Sequence, residues 1–152
     1  MINFNINETY EGQIDTDRFE ATASAVLAEL VQDENAELTI AVEDDSHLQS
    51  LNLEFLGIDA PTDVLSFPAG EIDPESGNLY LGDIILSLPR ATQQAQNANH
   101  PVENEMQLLV IHGILHLLGY DHTTPELKTE MWSVQARLLD QLGIQINQLP
   151  ED

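Results

Sequence analysis

Hydrophobic and polar residues alternate one by one in some parts of this chain and recur at helical spacing in others. Residues 2–6 and 37–43 alternate, which is the pattern of strands with one buried face. Short apolar runs at 64–67 and 79–86 predict two further strands, with a polar loop at 71–78 between them. The pattern therefore predicts four strands.

Five other segments place apolar residues three or four positions apart, which predicts five helices. The fourth helix, up to Leu118, is apolar on nearly every side and is expected at the centre of the fold. Strands and helices mixed in this order favour an α+β fold, with one sheet of about four strands and helices packed on it. We expect a single domain, 1–152, with a frayed tail at 145–152. Capping groups are predicted for three of the helices, in 15–17, at Asp45 or Ser46 and at Thr123, and the other two helices are predicted to begin at Ser87 and at 99–101.

Three of the five histidines lie close together after the middle of the fourth helix. His112 and His116 are four positions apart, so a helix places both imidazoles on one face, one turn apart. Gly119 can adopt the left-handed conformation that ends a helix, which allows the chain to bring His122 back to the same point. Three neutral imidazoles with a fourth position left open are the layout of a catalytic zinc site. The metal-bound water of such a site is the expected nucleophile.

The histidine spacing is also that of the metzincin proteases, H-E-x-x-H-x-x-G-x-x-H, with one change. Gly113 stands where those enzymes carry the glutamate that serves as general base. A peptidase of this design would lack its proton acceptor. The motif therefore indicates a hydrolytic metal site and counts against a protease.

The composition is strongly acidic, with 27 aspartates and glutamates, four arginines and lysines, and a formal charge of −23. Such a charge repels phosphate backbones and by itself argues against a nucleic-acid-binding protein. We favour a solvated acidic surface that serves solubility or high salt, because net charge bears on association rather than on the chemistry of a site. The absence of cysteine limits metal ligands to nitrogen and oxygen. No membrane-spanning apolar run and no signal peptide are apparent, so a cytoplasmic protein is expected.

The segment 112–122 reads H-G-I-L-H-L-L-G-Y-D-H and resembles the signature of the YbeY family. The segments P-T-D-V-L-S-F-P at 61–68 and L-G-D-I at 81–84 resemble two further blocks of that family, in the same order. The resemblance implies a metal-dependent endoribonuclease that cuts single-stranded RNA in ribosomal RNA maturation and ribosome quality control. It also implies a mostly parallel mixed sheet, with a metal cleft between the sheet edge and the central helix. One zinc ion per chain, ribosomal RNA and ribosomal proteins are the expected cofactor and partners; neither DNA nor a membrane is expected.

Three carboxylates are candidates for a part in the chemistry. Asp83 lies inside an apolar strand and could orient a metal-bound histidine or accept a proton, or it could bond nearby backbone amides. Asp63 could face the cleft, although we favour a role in the turn before the third strand. Asp121 could orient a ligand or cap the bend after the metal helix. The other histidines, His47 and His100, are expected near helix starts as caps or solvated groups.

The YbeY resemblance also points to a missing residue. Members of the family usually carry an arginine after a run like L-N-x-x-[YF], and here the run at 51–55 is followed by Leu56. An arginine could clamp a phosphate through its planar guanidinium, and leucine cannot. This departure leaves two rivals to a nuclease: a non-catalytic ribosome-assembly factor with structural zinc, and a metallohydrolase acting on peptides.

Overall fold

The computed structural model describes residues 1–31, 33 and 35–150, which form one four-stranded sheet and five α-helices. A short 3-10 helix, Glu8–Tyr10, follows the first strand. Within the described residues, none of the helices combines the length and the apolar character needed to cross a bilayer. The elements are β1 (Ile2–Ile6), α1 (Thr16–Leu30), β2 (Glu37–Glu43), α2 (Asp45–Leu56), β3 (Val64–Ile72), β4 (Leu79–Ser87), α3 (Leu88–Ala98), α4 (Val102–Leu117) and α5 (Pro125–Gln141).

The sheet has the strand order β1-β2-β4-β3. β1 pairs with β2 and β2 pairs with β4 in parallel, whereas β3 is antiparallel to β4 and forms one edge. Parallel neighbouring strands need crossover connections. The crossover from β1 to β2 contains α1, and the crossover from β2 to β4 contains α2 and β3. The predicted α+β fold with a mostly parallel mixed sheet is confirmed.

The hydrophobic core joins α1, α4 and α5 to one face of the sheet. Burying a large apolar side chain stabilises a fold by about 1.5–3 kcal/mol, so a helix that buries many of them is held firmly. This firm attachment makes α4 a rigid platform for the residues on its remaining face, and the predicted central position of this helix is confirmed. The buried core residues of α4 are Met106, Leu108, Leu109, Val110, Ile111, Ile114, Leu115 and Leu117.

The edge strand β3 is longer than its apolar run predicts. It continues past Phe67 to Ile72, and its last residues, Glu71 and Ile72, pair with the start of β4. These end residues are exposed, so backbone pairing with β4 rather than burial keeps them in the strand. The predicted boundary between the third strand and the loop at 71–78 is therefore wrong.

Two helix caps lie one residue away from their predicted positions. At the start of α2 the capping side chain is Asp44 rather than Asp45 or Ser46, and at the start of α5 it is Thr124 rather than Thr123. The neighbouring residues carry equivalent capping groups, so the backbone path and not the residue type selects the cap.

His100 is buried, and α4 has no side-chain cap, so the prediction of a cap or a solvated group is wrong for His100. Its Nε2 lies 2.6 Å from Glu105 Oε1, and its Nδ1 accepts a hydrogen bond from the Asn147 N–H. The Asn147 side chain also donates to the Asn99 carbonyl. The segment predicted to fray, 145–152, is thus connected to the start of α4 at Asn147, and its last two residues lie outside the described part of the chain.

Candidate metal centre

The end of α4 and the bend after it bring three histidines together. Gly119 adopts a φ of +96°, and the N–H groups of Gly119 and Tyr120 donate to the carbonyls of His116 and Leu115. This is the hydrogen-bond pattern of a Schellman ending, in which a left-handed glycine reverses the chain. The reversal returns His122 to the face of α4 that carries His116.

The three imidazoles form a compact cluster. Candidate ligand atoms of His112, His116 and His122 all lie within 4.8 Å of one another, and the Nε2 atoms of His112 and His116 are 3.1 Å apart. Two nitrogens bound to one tetrahedral zinc ion at about 2.0–2.1 Å would lie about 3.3 Å apart. Trp132 packs edge-on against His112 and His122, with ring centroids 5.6 and 5.4 Å away. The cluster therefore fits one zinc ion.

Hydrogen bonds orient two of these imidazoles. His112 Nδ1 lies 3.0 Å from Oε1 of the buried Gln135, and His116 Nδ1 lies 3.0 Å from the Tyr120 carbonyl oxygen. Carbonyl oxygens only accept, so each Nδ1 carries the proton and each Nε2 keeps its lone pair. Two lone pairs that face each other repel, and a shared cation would remove the repulsion. Gln135 and the Tyr120 carbonyl thus prepare the pair to bind a metal.

The protonation of His116 also suits a metal ligand. Burial, followed by the neighbouring His112 and His122, lowers the pKa of His116 to about 4, against an opposing hydrogen bond to the Tyr120 carbonyl. His116 is therefore neutral at physiological pH. Metal coordination requires the neutral form of the imidazole.

Gly113 follows His112 but faces the sheet. A Cβ at this position would lie 2.8 Å from Cγ2 of Ile84, so even alanine would require the Ile84 side chain or its surroundings to shift. The Ser66 hydroxyl donates to the Gly113 carbonyl and connects the edge strand to α4 at the same place. The position that carries glutamate in metzincins is a packing contact here, and a general base must come from another part of the protein.

The histidine cluster lies in a groove of about 1110 Å³ that is open to solvent. Its lining comes from the end of α2, β3, α3, α4, α5 and the bend after α4. Small-molecule sites usually measure about 300–1,000 Å³, so this groove is large enough for a section of polymer. The cleft expected between the sheet edge and the central helix is present.

Comparison with known proteins identifies the family. A sequence model of the family described as Endoribonuclease YbeY matches residues 4–143. This chain belongs to the YbeY family. The family predicted from the histidine block and the two shorter blocks is confirmed.

Individual YbeY proteins agree with this assignment. The chain is 42% identical over 136 residues to the Endoribonuclease YbeY of Salinispora tropica, which covers 83% of this chain and 87% of that protein. It is 42% identical over 137 residues to the protein of the same name from Bifidobacterium adolescentis, which covers 88% of this chain and 75% of that one. The solution structure of TM1509 from Thermotoga maritima matches with a TM-score of 0.59 and 26% identity, covering 94% of this chain and 92% of that chain.

Two of the three predicted carboxylates line the groove of this YbeY protein. Asp63 Oδ2 accepts a hydrogen bond from Gln94 at 3.3 Å, and the Asp63 backbone carbonyl accepts one from the Ser87 N–H. Asp121 Oδ1 accepts a hydrogen bond from the His122 N–H at 2.7 Å. Asp63 therefore both faces the groove and fixes the turn before β3, and Asp121 holds the backbone of the third histidine.

Asp83 does not join the histidines. Its neighbour Ile84 contacts α4, and because side chains alternate along a strand, Asp83 points to the other face of the sheet. There it accepts a hydrogen bond from the Tyr80 hydroxyl, which also lies 2.6 Å from the Thr39 hydroxyl. Burial and the bond to Asp83 raise the pKa of Tyr80 to about 12. This position on the other face contradicts a role for Asp83 as a histidine partner or as a proton acceptor beside the histidines, and its bond comes from a side-chain hydroxyl rather than from a backbone amide.

Leu56, at the position where the family resemblance predicts an arginine, lines the groove. Arg90, near the start of α3, lines the same groove, and its Nη2 and Nε donate to Asp45 at 2.8 and 3.3 Å. Among the described residues that line the groove, Arg90 is the only arginine or lysine. No sequence motif identifies Arg90 as a groove residue. The signal that could have found it is its position shortly after a strand, in a chain that has four arginines and lysines.

Proposed function

We propose that this protein is a zinc-dependent endoribonuclease that cuts single-stranded RNA during ribosomal RNA maturation and ribosome quality control. The observation that carries the proposal is the convergence of three imidazoles, His112, His116 and His122, in an open groove. Relatives named Endoribonuclease YbeY support an RNA substrate. Ribosomal proteins are further proposed partners, and the cytoplasm is the proposed compartment.

The proposed chemistry is cleavage of a phosphodiester. His112, His116 and His122 would hold one zinc ion, which supplies a Lewis acid and acidifies water near neutral pH. Asp63 and Asp121 line the groove and are the proposed proton acceptors. Attack at phosphorus by water or by the 2′-hydroxyl of the RNA forms one P–O bond and breaks another, and the departing ribose oxygen takes up a proton.

Two observations favour a nuclease over the rival functions. Gly113 leaves no room for a metzincin glutamate, which counts against a peptidase. In the described part of the chain, no fourth histidine or carboxylate joins the cluster. Structural zinc sites are usually closed by four protein ligands, so a three-ligand cluster favours catalysis over a purely structural zinc.

The deciding experiment is cleavage of a labelled single-stranded RNA by zinc-loaded protein over a range of salt concentrations. A chelated sample and the His116→Ala variant are the controls. We expect cutting that needs both the metal and the histidine. Full zinc loading without cutting at any salt concentration would refute the nuclease and favour an assembly factor, and peptide substrates would be tested next.

A further inference from the structure

One wall of the groove is apolar and largely open to solvent. It consists of Phe55, Leu56, Ile58 and Phe67, and we call it the apolar wall. Phe55 is 58% exposed, Leu56 59% and Ile58 52%. Clustered large apolar side chains on a surface mark binding sites, because leaving them in water does not stabilise the fold.

Two phenyl rings of the apolar wall contact each other. Phe55 comes from the end of α2 and Phe67 from β3; their centroids are 5.2 Å apart and their planes are inclined at 65°. This edge-to-face contact holds the Phe55 ring against the edge strand while more than half of its surface stays exposed. A ring that is both held and exposed can accept a flat partner.

Phosphate contacts can contribute little to RNA binding in this groove. Arg90 is the only arginine or lysine among the described residues that line it, and Asp45 takes two of the five N–H donors of its guanidinium. Lys128 lies nearby, with Nζ 5.3 Å from the centroid of the Trp132 ring. The whole chain has a formal charge of −23. Counterion release is therefore a weak source of affinity, and RNA must be held mainly by other contacts.

We propose that the apolar wall is a nucleobase subsite on which unpaired bases of single-stranded RNA stack. This inference rests on the proposed function, because the wall and the histidine cluster belong to one groove. Base stacking on an aromatic ring needs no charge on the protein and tolerates any base. It also favours single strands over duplexes, whose bases are already stacked on one another.

The test measures binding of a short fluorescent RNA to the zinc-loaded protein. The RNA carries 2′-O-methyl and phosphorothioate groups to resist cutting, and a gel verifies that it stays intact. Phe55→Ala should lower affinity about 5- to 150-fold, the equivalent of ~1–3 kcal/mol for one stacked base. Phe55→Leu keeps an apolar side chain without a ring and should bind nearly as weakly, whereas Phe55→Tyr should bind like the wild type. The matched control is Leu53→Ala, an exposed apolar residue of the same helix outside the groove.

Two further readouts separate stacking from a structural effect. An abasic site at the stacked position should weaken binding to the wild type but not to Phe55→Ala, because both changes remove the same contact. The plot of log affinity against log salt should have a slope no steeper than about −1.4, which allows about −0.7 for a phosphate at each of Arg90 and Lys128.

The outcomes distinguish this inference from the proposed function. If Phe55→Ala or Phe55→Leu binds RNA as tightly as a wild type that still cuts RNA, the nucleobase subsite is refuted and the nuclease stands. The apolar wall would then be assigned to a protein partner. A wild-type protein that holds zinc but neither binds nor cuts RNA would refute both.

Discussion

Histidines belong to two side-chain clusters in the described part of this protein. The closed cluster is built around His100, and the open cluster consists of His112, His116 and His122. In the closed cluster both ring nitrogens of the buried His100 have protein partners: Nδ1 accepts from the Asn147 N–H, and Nε2 lies 2.6 Å from Glu105 Oε1. In the open cluster His112 and His116 donate through Nδ1, and their Nε2 atoms face each other beside a groove. The same side chain is structural in one place and a candidate metal ligand in the other.

The contrast shows that the role of a histidine depends on whether protein groups occupy both of its ring nitrogens or leave Nε2 available. The Asn147 N–H donates to Nδ1 of His100, so the ring proton is on Nε2, and a neutral ring donates to Glu105. Burial raises the pKa of Glu105, and the hydrogen bonds from His100 and Gln94 oppose that rise. His100 has no lone pair left for a metal. The open cluster retains its Nε2 lone pairs, and this is what suits it to bind a metal ion.

The largest expected effect is on the open cluster, from His116→Ala, which removes one of three ligands. Bound zinc should fall from one per chain to near zero, and RNA cleavage should fall more than about 100-fold, since loss of an outer partner alone costs 10–100-fold. Amide hydrogen exchange at the end of α4 should become faster, because the metal no longer joins the helix to the bend. Metal analysis and a cleavage assay check this, with the exposed His47→Ala as control. Unchanged zinc content in His116→Ala would refute the three-histidine site.

A substitution in the closed cluster should lower the free energy of unfolding and leave the amount of bound zinc unchanged. His100→Leu leaves the buried Glu105 carboxylate with Gln94 as a donor and deprives the Asn147 N–H of its acceptor. The free energy of unfolding should therefore fall by about 3 kcal/mol. Adding Glu105→Met should recover part of the loss, because two apolar side chains then replace both partners.

Urea unfolding and metal analysis of the two His100 variants test whether the clusters are separate. Both variants should keep one zinc ion per chain. A folded His100→Leu protein that has lost its zinc would contradict the separation between the closed and the open cluster.

The open cluster could be predicted from the sequence because its geometry is local. His112, His116 and Gly119 act through helical spacing and a helix ending, and both are properties of neighbouring residues. The closed cluster depends on Asn147, 47 positions from His100. Likewise Gln135 is 23 positions from His112, so no local pattern connects that pair.

The fold follows the same division between local and distant causes. Apolar periodicity identified all four strands and the central helix, since each carries apolar residues at the spacing of its own element. It did not place the end of β3, where exposed residues up to Ile72 are held by pairing with β4. Periodicity also did not decide the role of Asp83. Its partner Tyr80 is three residues away, and strict alternation would place the two side chains on opposite faces. The register shift at the start of β4 brings them to the same face.

A smaller effect is expected from Gln135→Leu, which makes the open cluster less well oriented without removing a ligand. His112 Nδ1–H loses its acceptor, and zinc affinity should fall about 10- to 100-fold. Gln135→Glu should bind zinc at least as tightly as the wild type, because a carboxylate accepts the same hydrogen bond and makes the imidazole more basic. Competition with a fluorescent zinc chelator measures both affinities, with Gln141→Leu on the same helix as control. Equal zinc affinity in all of these variants would show that the orientation of His112 does not depend on Gln135.

The smallest effect is expected from Leu56→Arg, which adds a phosphate-binding cation to the groove beside the open cluster. The closed cluster pairs its own donor with its own carboxylate. Under the proposed function the open cluster binds a phosphate in a groove where Arg90 is the only arginine or lysine among the described lining residues. An added guanidinium should raise RNA affinity up to about fivefold, since an exposed ion pair is worth ~1 kcal/mol or less. It should also steepen the salt slope by about 0.7, as one more neutralised phosphate does on a single strand. The control Leu53→Arg places the same charge on α2 outside the groove. An equal gain in RNA affinity there would mean that the arginine acts through net charge. No gain in either variant would mean that the site works without an arginine at position 56.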